Sequence, residues 1–567
     1  METEVVRMMQ MPNLRNTAYP TEQSIVQFSG MNNRYPVTAG TIRDADGLSG
    51  AQMPSLSALP AQTEIRTYDN PVRMYPYSGG VLCITQDGIF LNDIKLTLPH
   101  GMEQQLRATE ADEYLIAGIN TQIVVYPLKI SISVTDKKIY SLDTDCELGT
   151  NLVTDGTEPN WTLHLNEWVE SEGQYFDLIR VQKSKLLRVV WVRFHSKDGT
   201  IKMLPMRSSE QVYKVNDTVD ICDEFGTVLV QSATIRYMTD TEVGFYANSL
   251  KAALEYYNGK LMFKRTAPSL TTLCEGDNRL WGTEGNTIYA CALGDPFNWN
   301  RYDGLSDDSY AVSVATDGDF TAAAHYGTHI CLFKENTIHK VYGSKPSNYQ
   351  VVTVTAPGVK TGCARSVATV GAVLYFCGRD GIYAYDGDAP ECLSANIDDT
   401  TIPFAIGTAQ HYVAYTGERL LAFDTVRKLW LPVSHDWLCD MVYAGGETFL
   451  LHPNGTLTRR DEHIDYTKTC DWWVQLEDID DTTPAQKRYQ KLLVQAVIQR
   501  NAWLRIDIRM DGGRWREVSA TEGTRGAMLS LPVYPNRCNS LGIRFRCHGD
   551  VTIHSITRCY TSYSERR

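Results

Sequence analysis

Few positions in this sequence combine residue types and spacings that chemistry requires. His435 next to Asp436, and Glu462 next to His463, could supply a metal ligand or a base. A histidine at a loop end on β structure is more often solvated or hydrogen-bonded, so these are weak candidates. Asp317-Gly318-Asp319 and Asp386-Gly387-Asp388 space two carboxylates as a calcium loop does. Neither is followed by the bidentate acid of an EF-hand, and Asp-Gly is equally the pair of a tight turn. The acidic run from Asp478 to Asp481 reads as a solvated linker. No G-x-x-x-x-G-K-[ST] loop, H-E-x-x-H, G-x-S-x-G or dinucleotide fingerprint occurs. No C-x-x-C occurs, and no close ligand pair nucleates a zinc site. Glycoside hydrolysis by paired carboxylates is the one enzymatic route left open, and no pair can be assigned to it. The expectation is a protein that is not an enzyme, with no catalytic residue, no cofactor and no metal.

One constellation remains. Arg505, Arg509, Arg544 and Arg546 fall at alternate positions of two apolar strands, so each strand presents its pair on one face. Such a face is either a solvated sheet surface paired with acids or a docking surface for an acidic neighbour, another copy of the chain included. Docking is favoured over nucleic-acid grip, because the net charge of −13 opposes DNA binding over the whole surface. Trp299, Trp430 and Trp437 are candidate surface aromatics that could stack on sugars.

The elements that would position these residues are β. The chain has 567 residues, too many for one ordinary domain, with 43% hydrophobic and 21% charged residues, a folded composition. The 31 Tyr and 11 Trp favour half-buried pleated surfaces. Charge is uneven: from Asp471 onward there are 15 Lys+Arg and 11 Asp+Glu, a net of +4, which leaves −17 for residues 1–470. Met1 to Pro12 has early acids and no apolar run, so no secretory signal is expected, and no stretch approaches the length of a membrane helix. The 14 cysteines are scattered through apolar runs, and reduced core thiols are expected.

Seven copies of one hairpin theme recur: a short apolar strand, a polar turn, and a second strand. They span 81–91, 113–126, 279–290, 329–342, 373–385, 419–430 and 448–458. Anchors Ile288, Ile338, Ile382, Leu429 and Leu457 are 50, 44, 47 and 28 residues apart, a scatter around the ~40–50 residues of a propeller blade. The alternative is a set of unrelated hairpins in a sandwich. The reading is an all-β chain: a degenerate β-propeller from 76–129 and 266–468, an inserted small β-barrel or sandwich over 130–265, and a C-terminal β-sandwich over 469–567. Ala247 to Gly259 is a helix candidate, and residues 1–75 read as an irregular arm that wraps a neighbour.

Phe28-Ser29-Gly30-Met31-Asn32, Asp46-Gly47-Leu48-Ser49 and Met53-Pro54-Ser55-Leu56-Ser57 resemble the opening of β-propeller virion proteins of tailed bacteriophages. Phe333-Lys334-Glu335-Asn336-Thr337-Ile338 through Gly343, with Leu374 through Tyr383, is similar to the same group, most of all to tail nozzle (tail tubular protein B-like) subunits. The resemblance implies a structural ring protein of the virion tail, made in the host cytoplasm. It implies a cyclic homo-oligomer, a hexamer, in contact with adaptor, fibre or tip proteins. DNA would pass through without specific binding. It transfers no catalytic residue. A receptor- or carbohydrate-binding tail-tip propeller is the alternative.

Overall fold

The structure, a computed structural model, describes residues 20–34, 37–99, 101–148, 176–183, 188–194, 203–204, 215–223, 225–238, 242–246, 261–302, 304–397, 401–460, 470–480, 485–523, 527–533 and 537–563. Among these residues it is an all-β protein built on a seven-bladed propeller. Each blade is a four-stranded antiparallel meander. The first six blades lie within 71–95, 115–141, 272–313, 322–355, 368–392 and 404–434, and the seventh combines 440–460 with 62–67. Middle strands such as His329–Lys334 and Leu420–Asp424 are buried along their whole length. Both of their faces pack on neighbouring blades, which is why they read as continuous apolar runs rather than alternations. Outer strands such as Gln350–Thr355 and Gln62–Thr67 are mostly exposed or half-buried.

The ring closes through an early strand. Gln62–Thr67 pairs antiparallel with Thr456–Arg460 as the outermost strand of the seventh blade, and the chain then enters the first blade at Pro71–Tyr77. Gly455 makes the turn at this seam with φ +89°, and a Cβ there would stand 2.0 Å from the Tyr68 carbonyl oxygen. Glycine alone fits both demands.

The segment expected to be an irregular arm is therefore a correction: residues 1–75 contribute seven strands. Five of them build the terminal sandwich. One six-stranded sheet joins Thr21–Ile25, Leu48–Ser49 and Leu56–Ala58 to Gln486–Ile498, Ala527–Pro532 and Val551–Tyr563. The other joins Ser29–Met31 and Thr41–Asp46 to Asp471–Leu476, Trp503–Met510, Arg516–Glu522 and Leu541–His548. Ile42, Leu56, Trp472, Val494, Leu504, Phe545 and Ile556 fill the core between the sheets. The propeller also runs past 130, since Ile130–Ser133 and Lys138–Ser141 are the last strands of the second blade.

The inserted unit is an eight-stranded sheet between the second and third blades, from Thr144–Leu148 to Leu261–Arg265. The candidate helix at 247–259 lies outside the described residues, as does His463. Thirteen of the cysteines stand as thiols, nine of them buried. Among the described residues no helix is long and apolar enough to cross a membrane.

Candidate functional site

The inner strands of all seven blades surround a central cavity of about 410 Å³. That is the volume of a small-molecule pocket. A DNA duplex is too wide to pass through it. One end of this channel is built by residues where inner strands begin. Asp440, whose side chain is 1% exposed, starts the inner strand of the seventh blade. Its Oδ2 accepts from Arg73 Nη1 at 2.8 Å and from the Met74 backbone N–H at 2.7 Å. Its Oδ1 accepts from the Met441 N–H at 2.9 Å and from Arg365 Nη2. Burial pushes the Asp440 carboxyl up, but Arg365 and Arg73 outweigh it and hold the group below the usual carboxylate range. Arg365 also lies 4.8 Å over the Phe404 ring and 3.5 Å from Asp112, which is exposed. Sequence reading passed over this cluster because its members stand on the first, fifth and seventh blades, with no local spacing to join them.

The four arginines do share one sheet face, and acids meet them there. Asp507, 3% exposed, accepts from Arg544 Nη2 and Arg546 Nε, each at 2.8 Å. Burial again raises this carboxyl, and Arg546 and Arg544 pull it below its ordinary range. Arg546 also reaches Glu517 at 2.8 Å, and Arg509 pairs with Asp478 at 2.8 Å. Trp515 is flanked by Arg509 and Arg544, each guanidinium 4.7 Å from its ring centre. Arg505 is the most open of the four, 44% exposed, stacked on Trp503 and 4.0 Å from Glu517. The alternation placed these residues on one face and left pairing with acids open as one of two readings; the structure supplies the acids, Asp507 from the same strand and Glu517 and Asp478 from elsewhere in the chain.

The remaining candidates serve the fold. His435 Nε2 stands 3.1 Å from Asp44 Oδ1, and that carboxylate raises the imidazole pKa. Asp436 accepts from Arg460 at 3.0 Å and Gln62 at 2.9 Å, which ties the entering segment to the seventh blade. The two Asp-Gly-Asp loops turn their glycine carbonyls to lysines: Gly318 O accepts from Lys334 Nζ at 2.5 Å, and Gly387 O from Lys340 Nζ at 2.8 Å. No cluster of metal-ligating side chains occurs among the described residues. Trp299 and Trp430 are a correction to the surface-aromatic expectation: both are buried, their indoles donating to the Pro296 and Leu393 carbonyls. Trp437 is 74% exposed.

The two appended units are attached to different blades of the propeller. Strands Ser29–Met31 and Thr41–Asp46 of the sandwich pack on the outer strand of the sixth blade, Leu429–Ser434. The inserted sheet is fixed to the third blade, where Asn298 bonds Asp217 and the Thr218 N–H, and Asp217 pairs with Arg265 at 3.0 Å. In a seven-blade ring these attachments are three blades apart.

No family model matches the chain, and no curated protein matches it. Among solved structures the chain is similar to BamB from Moraxella catarrhalis at 10% identity and TM-score 0.33, covering 71% of this chain and 99% of that one. It is similar to an exo-beta-1,3-galactanase from Phanerochaete chrysosporium at 9% identity and TM-score 0.20, covering 79% and 95%. It is also similar to the extracellular domain of the putative one component system BT4673 from B. thetaiotaomicron at 9% identity and TM-score 0.22, covering 91% and 98%.

Proposed function

We propose that this chain is a non-catalytic structural subunit of a tailed-phage virion. It forms a nozzle-like cyclic ring in which DNA passes between subunits rather than through a propeller. The observation that carries this reading is the polarity of the subunit. The inserted unit, 142–265, has 14 Lys+Arg and 18 Asp+Glu, a net of −4, while the chain from Asp471 onward is at +4. These units of opposite net charge are attached to the third and the sixth blade of one propeller, so a head-to-tail contact between copies is electrostatically favoured. A head-to-tail contact that closes makes a ring. The sequence resemblance to nozzle subunits supports the same assembly and gives the expected number of six. A conduit for DNA also benefits from acidic surroundings, which repel phosphate rather than hold it. Light scattering of the purified chain tests this: an oligomer at low ionic strength that dissociates as salt rises is expected. A monomer at every ionic strength and protein concentration would contradict it.

The tail-tip binding alternative draws on one feature, the exposed indole of Trp437. A glycan array probed with wild type and Trp437→Ala separates it from the structural reading, since only a sugar-binding surface would lose signal in the variant.

A further inference from the structure

The channel holds more hydrogen-bond donors than the protein satisfies. Both oxygens of Asp440 are fully engaged, with two donors each. The Nε atoms of Arg73 and Arg365 are buried and have no hydrogen-bond partner among the described residues. The Nε2 of His325, on the inner strand of the fourth blade, is likewise buried and unpartnered. All three residues line the same cavity of about 410 Å³. Buried polar groups are nearly always satisfied, and a set of orphans around one cavity calls for a partner. The charge also fails to balance. Two guanidiniums, with side chains 16% and 9% exposed, share one buried carboxylate. Asp112 approaches Arg365 only at 3.5 Å and is 75% exposed, so solvent screens it. The cluster keeps an excess positive charge in a confined space, next to the threonines of the inner strands and the Phe404 ring.

We infer that the propeller channel binds a small oxyanion, a carboxylate or a phosphate. Its oxygens accept from Arg73 and Arg365 at the end where the inner strands begin. An oxyanion answers each observation: it brings acceptors to orphaned donors, it offsets the surplus guanidinium charge, and planar arginines hold it in preference to a neutral molecule. This site is independent of ring assembly, since it lies wholly within one propeller.

Isothermal titration and thermal unfolding of the full chain, with inorganic phosphate and with citrate, test it against chloride of equal ionic strength and against glycerol. The expected result is saturable binding and a raised Tm with at least one of the two anions, and neither effect with chloride or glycerol. Phosphate alone identifies a phosphate ligand, and citrate alone a carboxylate. Arg365→Lys keeps the charge that Asp440 requires but removes the Nε and the fork, and should weaken binding at least tenfold. Should that variant fail to fold, Arg73→Lys removes the other orphaned Nε while keeping its charge and should weaken binding to a similar extent. Absence of saturable binding to either anion, or binding unchanged in a folded variant, would overturn the site.

Discussion

Arg73 and Asp440 stand 367 positions apart in the chain and meet at 2.8 Å, across the seam where the first blade lies against the seventh. The early strand closes the outside of this seam, and the ion pair closes its inside. Asp440 is nearly fully buried between two guanidiniums, so removing its charge strands both. Asp440→Asn should cost about 3–5 kcal/mol, measured by urea unfolding. The pH dependence follows from the same group. Its folded pKa is lowered, so the stabilisation is present above the ordinary carboxylate pKa and is lost as pH falls through the folded value. The variant should lack that part of the acid-unfolding limb.

His339 gives a second pH signature at a higher range. It is buried, its nitrogens bonded to Thr316 at 3.0 Å and Thr353 at 2.9 Å, and burial lowers its pKa to about 4. The unfolded chain binds a proton near the usual 6.5 while the folded chain does not. Stability should therefore fall as pH drops from about 6.5 to 4, by up to about 3 kcal/mol. Thermal unfolding of His339→Gln against wild type across that window should show a flatter profile for the variant.

Gly455 tests the closure of the ring. Gly455→Ala combines a left-handed backbone with a Cβ 2.0 Å from the Tyr68 carbonyl. It should lower stability by about 1–3 kcal/mol. Gly285→Ala has φ +54° but open space around it, and should cost less. Equal effects in calorimetry would show that strand 62–67 does not hold the seam.

The arginine face separates folding from docking. Arg544→Glu with Arg546→Glu would set new carboxylates beside buried Asp507. The sandwich should lose about 3 kcal/mol or more, read by denaturant unfolding. Arg505→Glu changes an exposed residue and should alter stability by less than about 1 kcal/mol. A docking role is therefore tested by Arg505→Glu alone, as weaker oligomerisation with unchanged unfolding.

The blades were legible because their middle strands carry the apolar runs that burial on both faces demands. All seven hairpins read from the sequence fall in seven different blades, and their uneven spacing has a structural cause. Ile288, Ile338, Ile382 and Leu457 lie on the third strand of their blades, whereas Leu429 lies on the fourth of its own. The later strands of the terminal sandwich were legible from alternation instead, since strands such as Asp471–Leu476 and Gln486–Ile498 bury one face. The strands of the first 75 residues were not. Thr21–Ile25 and Gln62–Thr67 are largely exposed and short of apolar residues, and their partners are hundreds of positions away. The channel cluster was hidden likewise, because its charges come from three blades. The arginine face could be located from alternation, and Asp507 falls on it between Arg505 and Arg509; Glu517 and Asp478 could not, since they reach it from the neighbouring strand Arg516–Glu522 and from the chain after Leu476.

The central claim is that copies of this chain close head to tail into a ring. Electron cryomicroscopy of assembled particles containing the chain tests it most directly. The account predicts a closed ring, six copies by resemblance, with the acidic inserted unit of each subunit against the basic sandwich of the next and a DNA-wide opening between them. Particles that carry the chain as isolated monomers, or rings in which neither unit touches a neighbouring copy, would contradict it.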